Sequence, residues 1–165
     1  MNPTSLPLVD FCKVVQACPP AALTSTAGDG DYVSLKNYSR CTIIISVDNG
    51  NTVTGGAVTL LQATTVAGGS EKALAFSKMY ADINTAVGDT LVETAVVSNT
   101  FTTDTTNASN LLYVIEVQAS DLDIDNGFDC LRIDVASMAN AVGAVIYVLH
   151  GTRYSSPIAI SAITD

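Results

Sequence analysis

The chain of 165 residues has no tryptophan, a single histidine and only seven lysines and arginines. Each scarcity excludes a class of function. Neutralising a phosphate backbone takes clustered cations, and those present are scattered from Lys13 to Arg153, so nucleic acid is a poor partner. Without tryptophan, a sugar-stacking platform would fall to the tyrosines. His150 ends an apolar run, no Gly-x-Ser-x-Gly elbow is present, and such a lone imidazole reads as a packed or capping side chain rather than a general base. Gly-rich phosphate loops are absent as well. A carboxylate pair for glycoside hydrolysis would be assembled only in space, so the sequence neither offers nor excludes one. Cys12 and Cys18 have neither short ligand spacing nor a neighbouring histidine, which argues against zinc. Four cysteines make no disulfide scaffold at this length, and all are expected to be reduced, with Cys41 and Cys130 acting as small buried apolar residues. The N-terminus lacks a basic region ahead of its apolar residues, so no secretion leader is expected. No apolar run approaches the ~18 residues of a membrane span. The expectation is a protein with no enzymatic activity and no cofactor.

What is present is apolar and weakly ionised. Hydrophobic residues make up 48% of the chain, charged residues only 14%, and mean hydropathy is +0.36. The net charge of −9 aids solubility and deters non-specific contact with anionic surfaces. A Thr-, Ser-, Asn- and Ala-rich surface with so few charges suits a subunit covered by others, hence an expected homo-oligomer. An ordinary Thr-rich β domain has the same composition.

Strand patterns recur along the chain. In Leu111–Val117, residues Leu111, Tyr113, Ile115 and Val117 share one parity, the period of a half-buried antiparallel strand. Cys41, Ile43, Ile45 and Val47 do the same in residues 41–47. Residues 144–149 are apolar on both parities, as expected of a strand covered on both faces. Further runs lie at 32–36, 57–66, 72–80, 90–98, 100–103 and 128–135, with turn signals at Asp48-Asn49-Gly50-Asn51 and Gly68-Gly69-Ser70. About eight strands with turns between them, and no helix of βαβ length, predict an all-β antiparallel sandwich of jelly-roll type.

The ends read differently. Pro7 followed by Leu8, Phe11, Cys12, Val15 and Cys18 at helical spacing, then Pro19-Pro20, predicts a short amphipathic helix. Alone it would be marginal, so its apolar stripe needs its own β domain or a neighbouring subunit to lie on. Residues 155–165 are apolar and short, either an edge strand or an arm reaching a neighbour. The organisation expected is an N-terminal arm at 1–30, a β-sandwich domain at 31–154 and a tail at 155–165. Leu8, Phe11 and Val15 of the arm, with Ile158, Ile160 and Ile163 of the tail, are the candidate contact residues.

The most suggestive polar pattern is Asp121-Leu122-Asp123-Ile124-Asp125-Asn126-Gly127. Alternate carboxylates offer calcium hard oxygen ligands, but the glycine is misplaced for an EF-hand and Arg132 stands where the bidentate Glu would be. The plainer reading is a solvated loop with Asp-mediated turns.

Tyr32–Asn37, Gly69–Phe76 and Asn110–Tyr154 together resemble small structural proteins of tailed bacteriophages, of the capsid decoration or minor capsid type. The likeness spans most of residues 31–165 and brings no functional residues with it. It implies a virion protein, made in the host cytoplasm, that self-associates and binds or cements the head shell through the major capsid protein or other virion subunits. The alternative is a calcium-assisted carbohydrate- or receptor-binding module of a phage tail or fibre, with Asp121, Asp123 and Asp125 as its ligands.

Overall fold

The structure, a computed structural model, describes residues 7–24, 29–50, 53–106, 110–153 and 161–163. Two antiparallel sheets face each other. The larger has the order β1-β11-β3-β9-β6-β7, built from β1 (Cys12–Ala22), β3 (Tyr38–Asp48), β6 (Phe76–Asp82), β7 (Val92–Ser98), β9 (Asn110–Gln118) and β11 (Val142–Thr152). The smaller has the order β2-β10-β4-β5, from β2 (Val33–Ser34), β4 (Ala57–Ala63), β5 (Lys72–Ala73) and β10 (Cys130–Val135), while β8 (Thr100–Thr102) also pairs with β4. With β6, β7 and β8 set aside, the remaining strands taken in chain order fall as 1-8-3-6 over 2-7-4-5. That is a jelly roll, as the sequence predicts. The strands β6 and β7 widen the larger sheet beyond β9.

The alternating runs fold as their period dictates. Cys41, Ile43, Ile45 and Val47 of β3 and Leu111, Tyr113, Ile115 and Val117 of β9 are all buried between the sheets. Two tyrosines place polar tips in this core. The Ile133 N–H donates to Tyr147 Oη at 2.8 Å, and the Asp104 N–H donates to Tyr113 Oη at 2.8 Å. All four cysteines are buried thiols outside any disulfide. Burial, followed by the nearby carboxylates of Asp31, Asp29 and Asp134, pushes the Cys18 thiol up to about 11, far from the thiolate range of reactive cysteines.

The predicted N-terminal helix is absent. Among the described residues of this segment the one helical element is a 3-10 turn at Leu8–Asp10, and Cys12–Ala22 is a strand paired with β11 along the sheet edge. A helix of about three turns gains little by itself, whereas the exposed edge of β11 offers partners for each backbone group of an extended chain. Pro19 and Pro20 do not end the element. They sit within β1 where its register shifts between Cys18 and Ala21, on an edge strand that tolerates lost N–H donors. The run at 72–80 is also two strands: the chain leaves β5 in the smaller sheet and enters β6 in the larger one.

Candidate functional site: an open sheet face and a cleft

The outer face of the larger sheet is built by the residues that alternate with its core. One cross-strand row runs Gln16, Ile146, Ile44, Val114, Tyr80 and Glu93 from β1 to β7. The adjacent rows contribute Val14 and Val148 on one side, and Ala144 and Leu112 on the other. Val14 is 44% exposed and Ile146 38% exposed, and no described element lies over them. Thr42, Ser46, Asp82 and Glu116 surround the apolar centre in the same rows, an arrangement of apolar core and polar rim familiar from protein interfaces. At ~4.8 Å between strands and ~3.4 Å per residue, the face measures on the order of 600–800 Å², close to one partner's share of a standard interface. The run at 144–149 thus has one face covered by the sandwich and the other open, where the sequence predicts cover on both.

Beside this patch, β6 and β9 part. Their pairing stops at Tyr80 and Val114, and beyond it a cleft of about 720 Å³ opens, lined by Arg40, Phe76, Lys78, Tyr80, Glu116 and Gln118. Lys78 and Asp121 of its lining are engaged locally. Lys78 pairs with Glu93 at 3.1 Å and lies over the Tyr80 ring, and hydrogen bonding to Lys78 holds the Glu93 carboxyl below its ordinary range. At the far end Asp121 accepts the Gln118 N–H at 2.8 Å.

His150 also sits on this face. Thr42 donates to Glu116 at 2.5 Å, and His150 Nε2 lies 3.1 Å from the same Thr42 hydroxyl and 3.8 Å from Glu116. A nucleophile–histidine–acid relay needs the hydroxyl on one ring nitrogen and the carboxylate on the other. Here both approach Nε2, so the trio is a surface hydrogen-bond cluster.

The sequence-predicted residues are dispersed. Leu8 and Phe11 are exposed at the entry to β1, while Val15 packs against the core. Ile163 is exposed beside β2, where the neighbouring Ala162 carbonyl accepts the Ser34 N–H at 2.7 Å. Ile158 and Ile160 lie outside the described residues. Of the acidic loop, Asp121 closes a 3-10 turn, Asp123 binds Lys72 and the Asn126 amide, and Asp125 stands exposed. Among the described residues no group of three His, Cys, Asp or Glu is placed to hold a metal ion, and no helix is long and apolar enough to cross a membrane. The open-face residues Ile44, Val114, Ile146 and Val148 were not singled out by the sequence. Their signal was apolar residues on both parities of three neighbouring strands.

On the smaller sheet, an isolated bridge sets Asp29 beside Asp134, near Arg132 and Glu71. Burial first, then the Asp29 carboxyl, pushes Asp134 up to about 6 from its ordinary value of 3.8. The folded state therefore holds this proton more tightly than the unfolded chain. The associated stability is complete below the unfolded value and is lost as pH rises through about 6. Asp134→Asn should raise the melting temperature at pH 7, by the equivalent of ~1 kcal/mol once solvent screening is allowed for, with the gain vanishing near pH 4. Melting curves across that range check it, and a gain that does not depend on pH would refute the assignment.

No protein-family model matches the chain, and no curated protein matches it either. Among solved structures, that of the SPBc2 prophage-derived protein YomS is similar with a TM-score of 0.43 and 13% identity, over 84% of this chain and 92% of the other. A likeness at that level carries no argument about role.

Proposed function

We propose that this chain is a structural subunit of a tailed-bacteriophage particle, of the decoration or minor capsid kind, with no enzymatic activity of its own. The observation that carries the reading is the open, apolar, polar-rimmed outer face of the six-stranded sheet, of a size suited to one docked partner. In this reading the face docks on the major capsid protein or another virion subunit after synthesis in the host cytoplasm. Apolar burial at ~25 cal/mol per Å² supplies the attraction, less the loss of rigid-body freedom. The resemblance of residues 31–165 to phage structural proteins supports the same role.

The test is quantitative mass spectrometry of purified particles carrying either the wild-type chain or the Ile44→Glu/Ile146→Glu variant. Both positions point away from the core, so the variant should melt within a few degrees of wild type. The expected result is wild-type chain in particles at a stoichiometry comparable with the shell subunit, and at least a tenfold loss of the variant. Absence of the wild-type chain from particles, or normal incorporation of the variant, would overturn the reading.

A further inference from the structure

The other sheet edges are all guarded in some way. On β1 the edge carries Pro19, Pro20 and two register shifts. Residues 161–163 lie against β2, with the Ala162 carbonyl on the Ser34 N–H. The outer edge of β4 is shared end to end by the short strands β5 and β8. The edge of β7 is different. It is seven residues long and contains no proline, and among the described residues no strand pairs with its far side. Such an edge is a template for another strand.

Alternation along the antiparallel ladder identifies its free groups. The Asn110 carbonyl accepts the Thr85 N–H and the Gln118 N–H reaches Asp121, so the even-numbered residues of β9 turn their backbone groups away from β3. Val114 therefore bonds Tyr80, and Tyr80 has its backbone groups toward β9. Across the β6–β7 ladder, Glu93 and Ala95 face Tyr80 and Lys78 and turn their own N–H and C=O outward. The inward-facing side of the strand overhangs the smaller sheet as well, with Val92 61% exposed and Thr94 also exposed, while Val97 on the other side is fully exposed. Its single charge, Glu93, is already paired with Lys78.

We propose that β7 pairs antiparallel with β7 of a second copy about a two-fold axis at Ala95, joining the two larger sheets into one. Self-pairing fits this strand for two reasons. A register centred on Ala95 sets a small side chain on the axis and places Glu93 opposite the partner's Val97. Moving the axis by two residues, onto Glu93, would set Glu93 opposite the partner's Glu93, and like charges directly opposed are destabilising. The contact is isologous, so it closes at two copies. It is separate from the outer sheet face and stands whether or not that face docks on a shell.

The test uses the full-length purified chain. The wild type should be a dimer by light scattering. Ala95→Pro should be a monomer with unchanged circular dichroism, since the Ala95 N–H has no partner on β6 and proline there removes only the intermolecular bond. Ala95→Cys should form a disulfide-linked dimer on mild oxidation at least tenfold faster than Val92→Cys or Ser98→Cys, because opposed residues stand ~5.5 Å apart between Cα atoms. The native thiols are buried and give no background. The Ile44→Glu/Ile146→Glu variant should remain dimeric, which separates this contact from docking through the open face. A monomeric wild type, a dimer that survives Ala95→Pro, or crosslinking that peaks at another position would overturn the proposal.

Discussion

Tyr147→Ala should lower the free energy of unfolding by about 4–6 kcal/mol, enough to unfold a domain of ordinary stability. Tyr147 lies on β11 and is fully buried between the sheets. Removing its ring leaves an aromatic-sized void, worth about 3–5 kcal/mol on its own. It also removes the hydroxyl that accepts the Ile133 N–H, so a β10 donor becomes an orphan in the core. Tyr147→Phe separates the two effects, because it keeps the ring and loses only the acceptor, at about 1–3 kcal/mol. Urea unfolding of both variants measures the difference. If Tyr147→Phe proved as stable as wild type, the hydroxyl would be shown to hold nothing.

The second large effect is expected at Gly30, which engages the other backbone group of Ile133. Its N–H donates to the Ile133 C=O at 2.9 Å, which pins the entry segment along β10. A Cβ at this position would stand 2.6 Å from that carbonyl oxygen and 2.9 Å from Tyr147 Oη. Neither neighbour is the flexible end of a long side chain, so the backbone must move and the hydrogen bond must lengthen or break. Gly30→Ala should therefore cost about 2–4 kcal/mol. Because both substitutions act on Ile133, Gly30→Ala combined with Tyr147→Phe should cost less than the sum of the two. Full additivity in denaturation experiments would show that the contacts are independent, contrary to the geometry.

Much of the sandwich was legible in the sequence because burial in a strand is a local, period-two property. The inward parity of β3 and β9 can be read from Cys41–Val47 and Leu111–Val117 alone, and the jelly-roll class follows from the number and spacing of such runs. The candidate site was less legible. Apolar residues on both parities of β11 signal two apolar faces, but they do not say whether the second cover comes from the same chain. The contact residues predicted at the ends followed from apolar character near the termini, and the structure leaves Leu8, Phe11 and Ile163 exposed without joining them to the open face.

By itself, then, the sequence determined an acidic, weakly charged, all-β domain with its core parity and the burial of Cys41 and Cys130, since these depend on composition and on neighbours one or two residues away. Only the tertiary structure decided that Cys12–Ala22 is a strand, because a short periodic segment takes the conformation of whatever edge receives it, and here that edge is β11. The same holds for the crossing from β5 to β6, for the Asp29–Asp134 pair and for the unguarded edge at β7. Each depends on which strands lie side by side, a matter of long-range pairing that a local pattern does not carry.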